Sequence, residues 1–211
     1  MDNWSLQPLL ELCLNYRPER PFQSAMAGRG SAAGQPLNTA SHPRRAHYLI
    51  CLGMGATVGF VAAFGESFYE PLAIPVLIFS QSLFPIVVAT AIAPLVEEPA
   101  KSLGLLLLKE EERLNFEIAD WTVLGSLSGI GFGFMENAVY ALAVLGYGAN
   151  VSLTLFFMRG LLTAPLHGMT ATLTGFGVGL WQKSGNARLL VIPLVTAMVI
   201  HGSFNLLASV I

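Results

Sequence analysis

Apolar positions along the chain fall into five long stretches, at 47–64, 84–108, 121–145, 152–181 and 189–211. A helix needs about 20 mostly apolar residues to cross the hydrocarbon of a bilayer. The pattern therefore predicts an all-α fold, a polytopic integral membrane helix bundle of about five spans. A sixth run, 72–81, is apolar but too short to span. Pro71 and Pro75 bracket its start and Pro85 follows it, which fits a re-entrant or surface segment. Residues 1–46 read differently. Pro18, Pro21, Pro36 and Pro43 with several Gly, Ser and Ala cannot bury a core, so this part is expected to be a disordered, Arg-rich tail. Within it, residues 4–16 carry enough leucine for a short surface helix, which Pro8 opposes.

Polar positions inside the apolar stretches are few: Glu97, Glu98, Lys101, Glu136 and Arg159, with His167 and His201. A charge at the bilayer centre costs at least about 2.5–3.5 kcal/mol on insertion scales. The chain must pair these groups or use them. Glu97 and Glu98 stand four and three residues before Lys101, so both carboxylates reach the ammonium on a helix. One lysine neutralises one carboxylate, and the other either carries a proton or stays ionised with work to do. On the third span Gly125, Gly129 and Gly133 recur every four residues and offer a smooth face for close helix approach. Glu136 projects near that face, and Asn137 beside it suits helix-to-helix hydrogen bonding. On the fourth span Arg159, Thr163, His167, Thr170 and Thr174 fall within an arc of about 80°. That stripe suits a wet cavity or a partner's polar face, with Arg159 as counter-ion or boundary residue. On the fifth span His201 and Asn205 lie one turn apart on one face.

Composition narrows the class. The chain has 211 residues, of which 54% are hydrophobic and only 11% charged, against about 25% charged in soluble domains. A net charge of −2 offers nothing to nucleic acid. Cys13 and Cys51 are too few for a disulfide framework and read as two unpaired thiols. Basic residues set the orientation. Arg17, Arg20, Arg29, Arg44 and Arg45 place the tail in the cytoplasm, Lys109 and Arg113 place the second inner loop, and Lys183 and Arg188 the third. The alternation holds for five spans, N-terminus inside, and fails if 72–81 is a sixth. The run from Lys109 to Arg113, with Glu117 and Asp120, is read as a solvated juxtamembrane turn.

Together Glu97-Glu98-x-x-Lys101, Phe132-x-x-x-Glu136-Asn137, a histidine in the next span and His201-x-x-x-Asn205 resemble the PrsW family of glutamic-type intramembrane proteases. That family is related to the CAAX prenyl endopeptidases and the bacteriocin-immunity membrane proteins. The resemblance covers roughly residues 49–211. It implies a protease domain over 47–211, in the cell (inner) membrane, cutting membrane-anchored proteins or peptides. Where the prenyl endopeptidases carry a histidine four residues after the Phe, this chain has Glu136, so a base role for that histidine does not transfer; His167 is the candidate to stand in.

The expected chemistry is hydrolysis by a carboxylate-activated water. A carboxylate held out of bulk water is a usable general base. Glu97 is the expected base, with Lys101 balancing its charge while Glu98 holds a proton. Glu136 would share the water or return the proton, and His201 and Asn205 would donate to the oxyanion. Ser203 points about 180° from the His201–Asn205 face on an ideal helix, which disfavours a covalent mechanism. No cofactor is expected on this reading. The alternative is a zinc site drawn from Glu97, Glu136, His167 and His201. Two other classes stay open: a proton-coupled transporter, and a non-catalytic immunity or adaptor protein.

Overall fold

The computed structural model describes residues 42–111 and 114–210. The tail expected to be disordered lies, up to residue 41, outside the described residues, and so do Cys13 and the proposed surface helix. Regular structure among the described residues is helical throughout: α1 (Arg45–Tyr69), α2 (Ile74–Phe79), α3 (Leu83–Val87), α4 (Ala93–Lys101), α5 (Leu103–Lys109), α6 (Ile118–Ala143), α7 (Ala149–Ser184) and α8 (Val191–Val210). Five helical stretches are long and apolar enough to cross a membrane: Arg45–Gly65, Leu83–Lys109, Ile118–Ala143, Ala149–Ser184 and Ala187–Ser209. The five-span bundle expected from the sequence is the fold observed. Residues 70–79 form a turn of 3-10 helix and the six-residue α2, together about 17 Å of helix, which is too short to cross.

The second span is continuous in direction but not in winding. Pro94 has no N–H, and its ring would crowd the carbonyl four residues back. The chain answers with a π-helical turn at Val88–Ile92, where the Ala93 N–H bonds to Val88 O instead of Ala89 O. The carbonyl so released is met from α8, where the Asn205 amide donates to Ala89 O at 2.8 Å. A second break separates α4 from α5 after Pro99, whose carbonyl accepts from both the backbone N–H and the hydroxyl of Ser102.

Helix α6 is the central element, packed on α7 along one side and α1 along the other. Glycine makes both approaches close. A Cβ at Gly125 or Gly129 would collide with the carbonyls of Ala171 or His167 on α7, and one at Gly55 of α1 with Ser128 O. The spacing of four noted in the sequence is thus the α6–α7 seam. Leu49, Phe60, Phe64, Leu107, Phe157, Leu161 and Val199 are among many large apolar side chains left on the outside. In water such a surface would be an aggregation liability; in a bilayer it is the lipid face.

Glu117 and Asp120, two residues of the expected solvated turn, are engaged in the fold. Glu117 and Asp120 form a capping box on α6, and Lys183 of α7 donates to Glu117 at 2.8 Å.

Candidate active site

The breaks in the second span decide what faces the interior. Helix α4 buries Glu97, Glu98 and Lys101 together, and the Ser128 hydroxyl of α6 donates to Lys101 O at 2.7 Å, pinning that turn. Lys101 is enclosed (1% exposed). Its Nζ lies 2.7 Å from Glu98 Oε1 and 4.0 Å from Glu97 Oε2, 2.7 Å from His167 Nδ1 and 4.5 Å from the Phe132 ring centroid.

Glu98 Oε1 also meets Thr170 Oγ1 at 3.1 Å and His201 Nδ1 at 2.7 Å. The expected division of labour is therefore reversed: Lys101 sits on Glu98, and Glu97 is the carboxylate further from it. An ammonium, a hydroxyl and an imidazole N–H on one oxygen form the donor set of an ionised carboxylate. The reversal follows from spacing. The i,i+3 pair falls on the side of the helix that also faces α7 and α8, where Thr170 and His201 supply further donors.

Hydrogen bonds constrain the two imidazoles. An ammonium only donates, so His167 Nδ1 holds the lone pair toward Lys101, and Nε2–H donates to Glu136 Oε2 at 3.0 Å. His201 donates from Nδ1 to Glu98, and in the neutral ring this puts the lone pair on Nε2, which lies 3.8 Å from Glu97 Oε2. The expectation that His201 donates to an oxyanion does not match this tautomer, since its remaining nitrogen accepts. The two rings stand edge to face at 4.9 Å.

Glu136 receives a second contact from Arg159 Nη2 at 3.6 Å. Arg159 is held in turn by Asn137, whose Oδ1 accepts from its Nε at 3.1 Å and from Thr163 at 2.9 Å. Asn137 is the interhelical link its position suggested. The guanidinium also lies 4.2 Å over the Tyr140 ring. Tyr140 was missed in the sequence, although it stands one turn beyond Glu136 on the same face.

A cavity of about 400 Å³ opens beside this cluster. Glu97, Glu136, Arg159, His167, His201 and Asn205 are among its polar lining, and Met158, Leu162 and Phe204 among its apolar lining. Glu98 and Lys101 do not line it. Every predicted site residue is in or directly behind one cluster, except that the Asn205 amide is engaged by Ala89 O. Ser203 is exposed on the outer face of α8.

Could the cluster hold a metal? Glu97, His167 and His201 each offer one ligand atom, all within 4.8 Å of one another. Two imidazoles and a carboxylate make a common catalytic zinc donor set, and the Glu98–His201 bond is the outer-shell partner such ligands carry. Type and spacing fit. Glu136, the fourth residue of the expected zinc set, is outside this trio and is occupied by His167 and Arg159.

A five-span bundle with two buried histidines and three buried glutamates clustered beside a cavity defines the class, a membrane protein built around a polar centre. The profile described as PrsW family intramembrane metalloprotease matches residues 43–211, and the chain belongs to that family. It is 26% identical over 129 residues to Protease PrsW of Clostridioides difficile (strain 630), which covers 59% of this chain and 53% of that protein. The chain thus spans about half the length of that relative. No solved structure matches it.

Proposed function

We propose that this chain is an intramembrane endopeptidase that hydrolyses peptide bonds of membrane-anchored substrates at the Glu97–His201 edge of the cavity. The carrying observation is that Glu97 lines the cavity while Glu98 stands behind it on Lys101. Glu97 Oε2 and the His201 Nε2 lone pair are two acceptors 3.8 Å apart, a span one water bridges with both its hydrogens. That water's oxygen attacks the substrate carbonyl carbon while Glu97 takes its proton. Arg159, lining the same cavity, stabilises the developing oxyanion. The C–N bond then breaks as Glu97 returns the proton to the departing amine. Glu98 keeps its charge opposite Lys101 and fixes the His201 tautomer. Family membership and the match to Protease PrsW support peptide hydrolysis over transport or simple binding.

The metal-dependent version is favoured by one observation, the convergence of Glu97, His167 and His201. Those three would hold the ion, which when bound polarises the carbonyl and activates water. The arginine pattern supports an N-terminus in the cytoplasm, with the cavity opening toward the outer leaflet, and the family resemblance a place in the cell (inner) membrane. Purified protein in proteoliposomes with a library of single-span peptides, read by mass spectrometry, tests the proposal. Cleavage products from the wild type that vanish with Glu97→Gln are expected. Equal cleavage by that variant removes Glu97 as the base.

A further inference from the structure

His167 already uses both ring nitrogens: Nδ1 accepts from the Lys101 ammonium at 2.7 Å and Nε2 contacts Glu136 at 3.0 Å. A metal needs one lone pair from this ring. If Nδ1 supplies it, Lys101 has to leave that atom. If Nε2 supplies it, the ring proton moves to Nδ1, where it would face an ammonium that can only donate. Either route breaks the same contact. Turning the ring offers no escape. It is wedged between Phe132 at 5.1 Å and His201 at 4.9 Å between centroids, with its Cδ2 so near α6 that a Cβ on Gly133 would lie 2.7 Å away.

We propose that the Lys101 ammonium and a divalent metal ion are alternative occupants of one cation position, so that metal binding at Glu97, His167 and His201 requires Lys101 to release His167. The neighbours agree. The ammonium sits among Glu98, His167 and Glu97, and two of these belong to the metal trio. Lys101 is then more than a buried counter-charge; it holds the metal-free arrangement together and sets how tightly metal binds. This rests on the metal-dependent version of the function and makes no claim about cleavage.

The test is binding of Co²⁺ to the full chain in detergent, followed by its visible absorption and by metal content after dialysis against buffered metal. Lys101→Gln, which removes the competing cation, should bind Co²⁺ at least about tenfold more tightly than the wild type, on the scale of outer-shell effects. Lost positive charge alone would also favour a cation, so the double variant Glu98→Gln, Lys101→Met decides between causes. It leaves the net charge of the site unchanged and keeps an amide oxygen for His201. It should show the same gain, and it serves as the test if the single variant does not fold. The gain should disappear when His201→Ala is added. No gain in the double variant, a gain that survives His201→Ala, or no Co²⁺ binding by any of these proteins overturns the proposal. Because the readout is metal and not product, its failure would leave carboxylate-driven hydrolysis at Glu97 standing.

Discussion

The two ends of the bundle are built from the same helices and finished differently. At one end the start of α1 and α6, the end of α5 and the end of α7 close on Cys51, Leu105, Phe116, Trp121, Leu124 and Val178. There Trp121 packs on Phe116 at 5.3 Å between ring centroids and donates to Gln182 at 2.7 Å, while Gln182 donates to Leu114 O. At the other end the cavity lies beside the glutamates and histidines. The α6–α7 seam does not account for the difference, because glycine keeps those helices close from Gly125 to Gly133. The side chains that the other spans turn to the cavity bear on it. The second span and α8 contribute Ala89, Ala93, Ala208 and Ser209 there, and the π turn swings Ala89 O to Asn205. Small side chains at these positions leave space beside the glycine seam.

The comparison breaks most sharply at Glu97. The open end should carry activity with little stability, so Glu97→Gln is expected to lower cleavage by about 10²–10⁴ with the unfolding midpoint in mixed micelles unchanged. A matching loss of stability would mean that Glu97 holds the bundle together. Trp121→Ala is the counterpart at the closed end. It should cost about 3 kcal/mol, the low end for such truncations, because lipid as well as water solvates the side chain after unfolding. Cleavage per folded molecule should stay at the wild-type level. A large drop in that quantity would show that the ends are coupled.

How far the sequence could show this depends on the kind of constraint. The spans were legible because crossing hydrocarbon requires apolar length, and the glycine seam because close backbones require missing side chains. The cluster was legible because ionisable groups in lipid must find one another. Two things were not. Pro94 was visible, but whether a proline yields a kink, a break or a π turn depends on what meets the released carbonyl, here Asn205 from 116 residues away. Lys101 lay within reach of both glutamates, and the choice of Glu98 came from Thr170 and His201 on two other helices. The contact of His201 Nδ1 with Glu98 follows from that choice.

Asn205 separates the structural part of the open end from its chemistry. If the amide's main task is to satisfy Ala89 O, Asn205→Ala leaves a carbonyl without its donor and costs about 1–3 kcal/mol. The π turn would loosen and cleavage should fall, but by less than for Glu97→Gln. Asn205→Gln tests the geometry, since the same amide on a longer arm cannot meet Ala89 O at the present 2.8 Å. Stability falling in parallel with activity across both variants supports the clamp. Full stability with activity lost to the level of Glu97→Gln would return Asn205 to the oxyanion role.

The smallest expected effect is at Ser203, and it bears on mechanism. Ser203 lies between His201 and Asn205 in sequence, a place beside the cluster's α8 residues where a serine nucleophile would be sought. On α8 it is exposed on the outer face, while His201 and Asn205 line the cavity. A nucleophile has to share hydrogen-bonding distance with its base, and the His201 ring nitrogens lie 2.7 Å from Glu98 and 3.8 Å from Glu97 instead. Ser203→Ala should therefore leave cleavage unchanged and alter stability by no more than about 0.5 kcal/mol, as for a surface substitution. Loss of cleavage in that variant would require α8 to rotate by roughly half a turn in the active state, carrying His201 out of the cluster. The distinction between a packed end and a catalytic end would then fail with it.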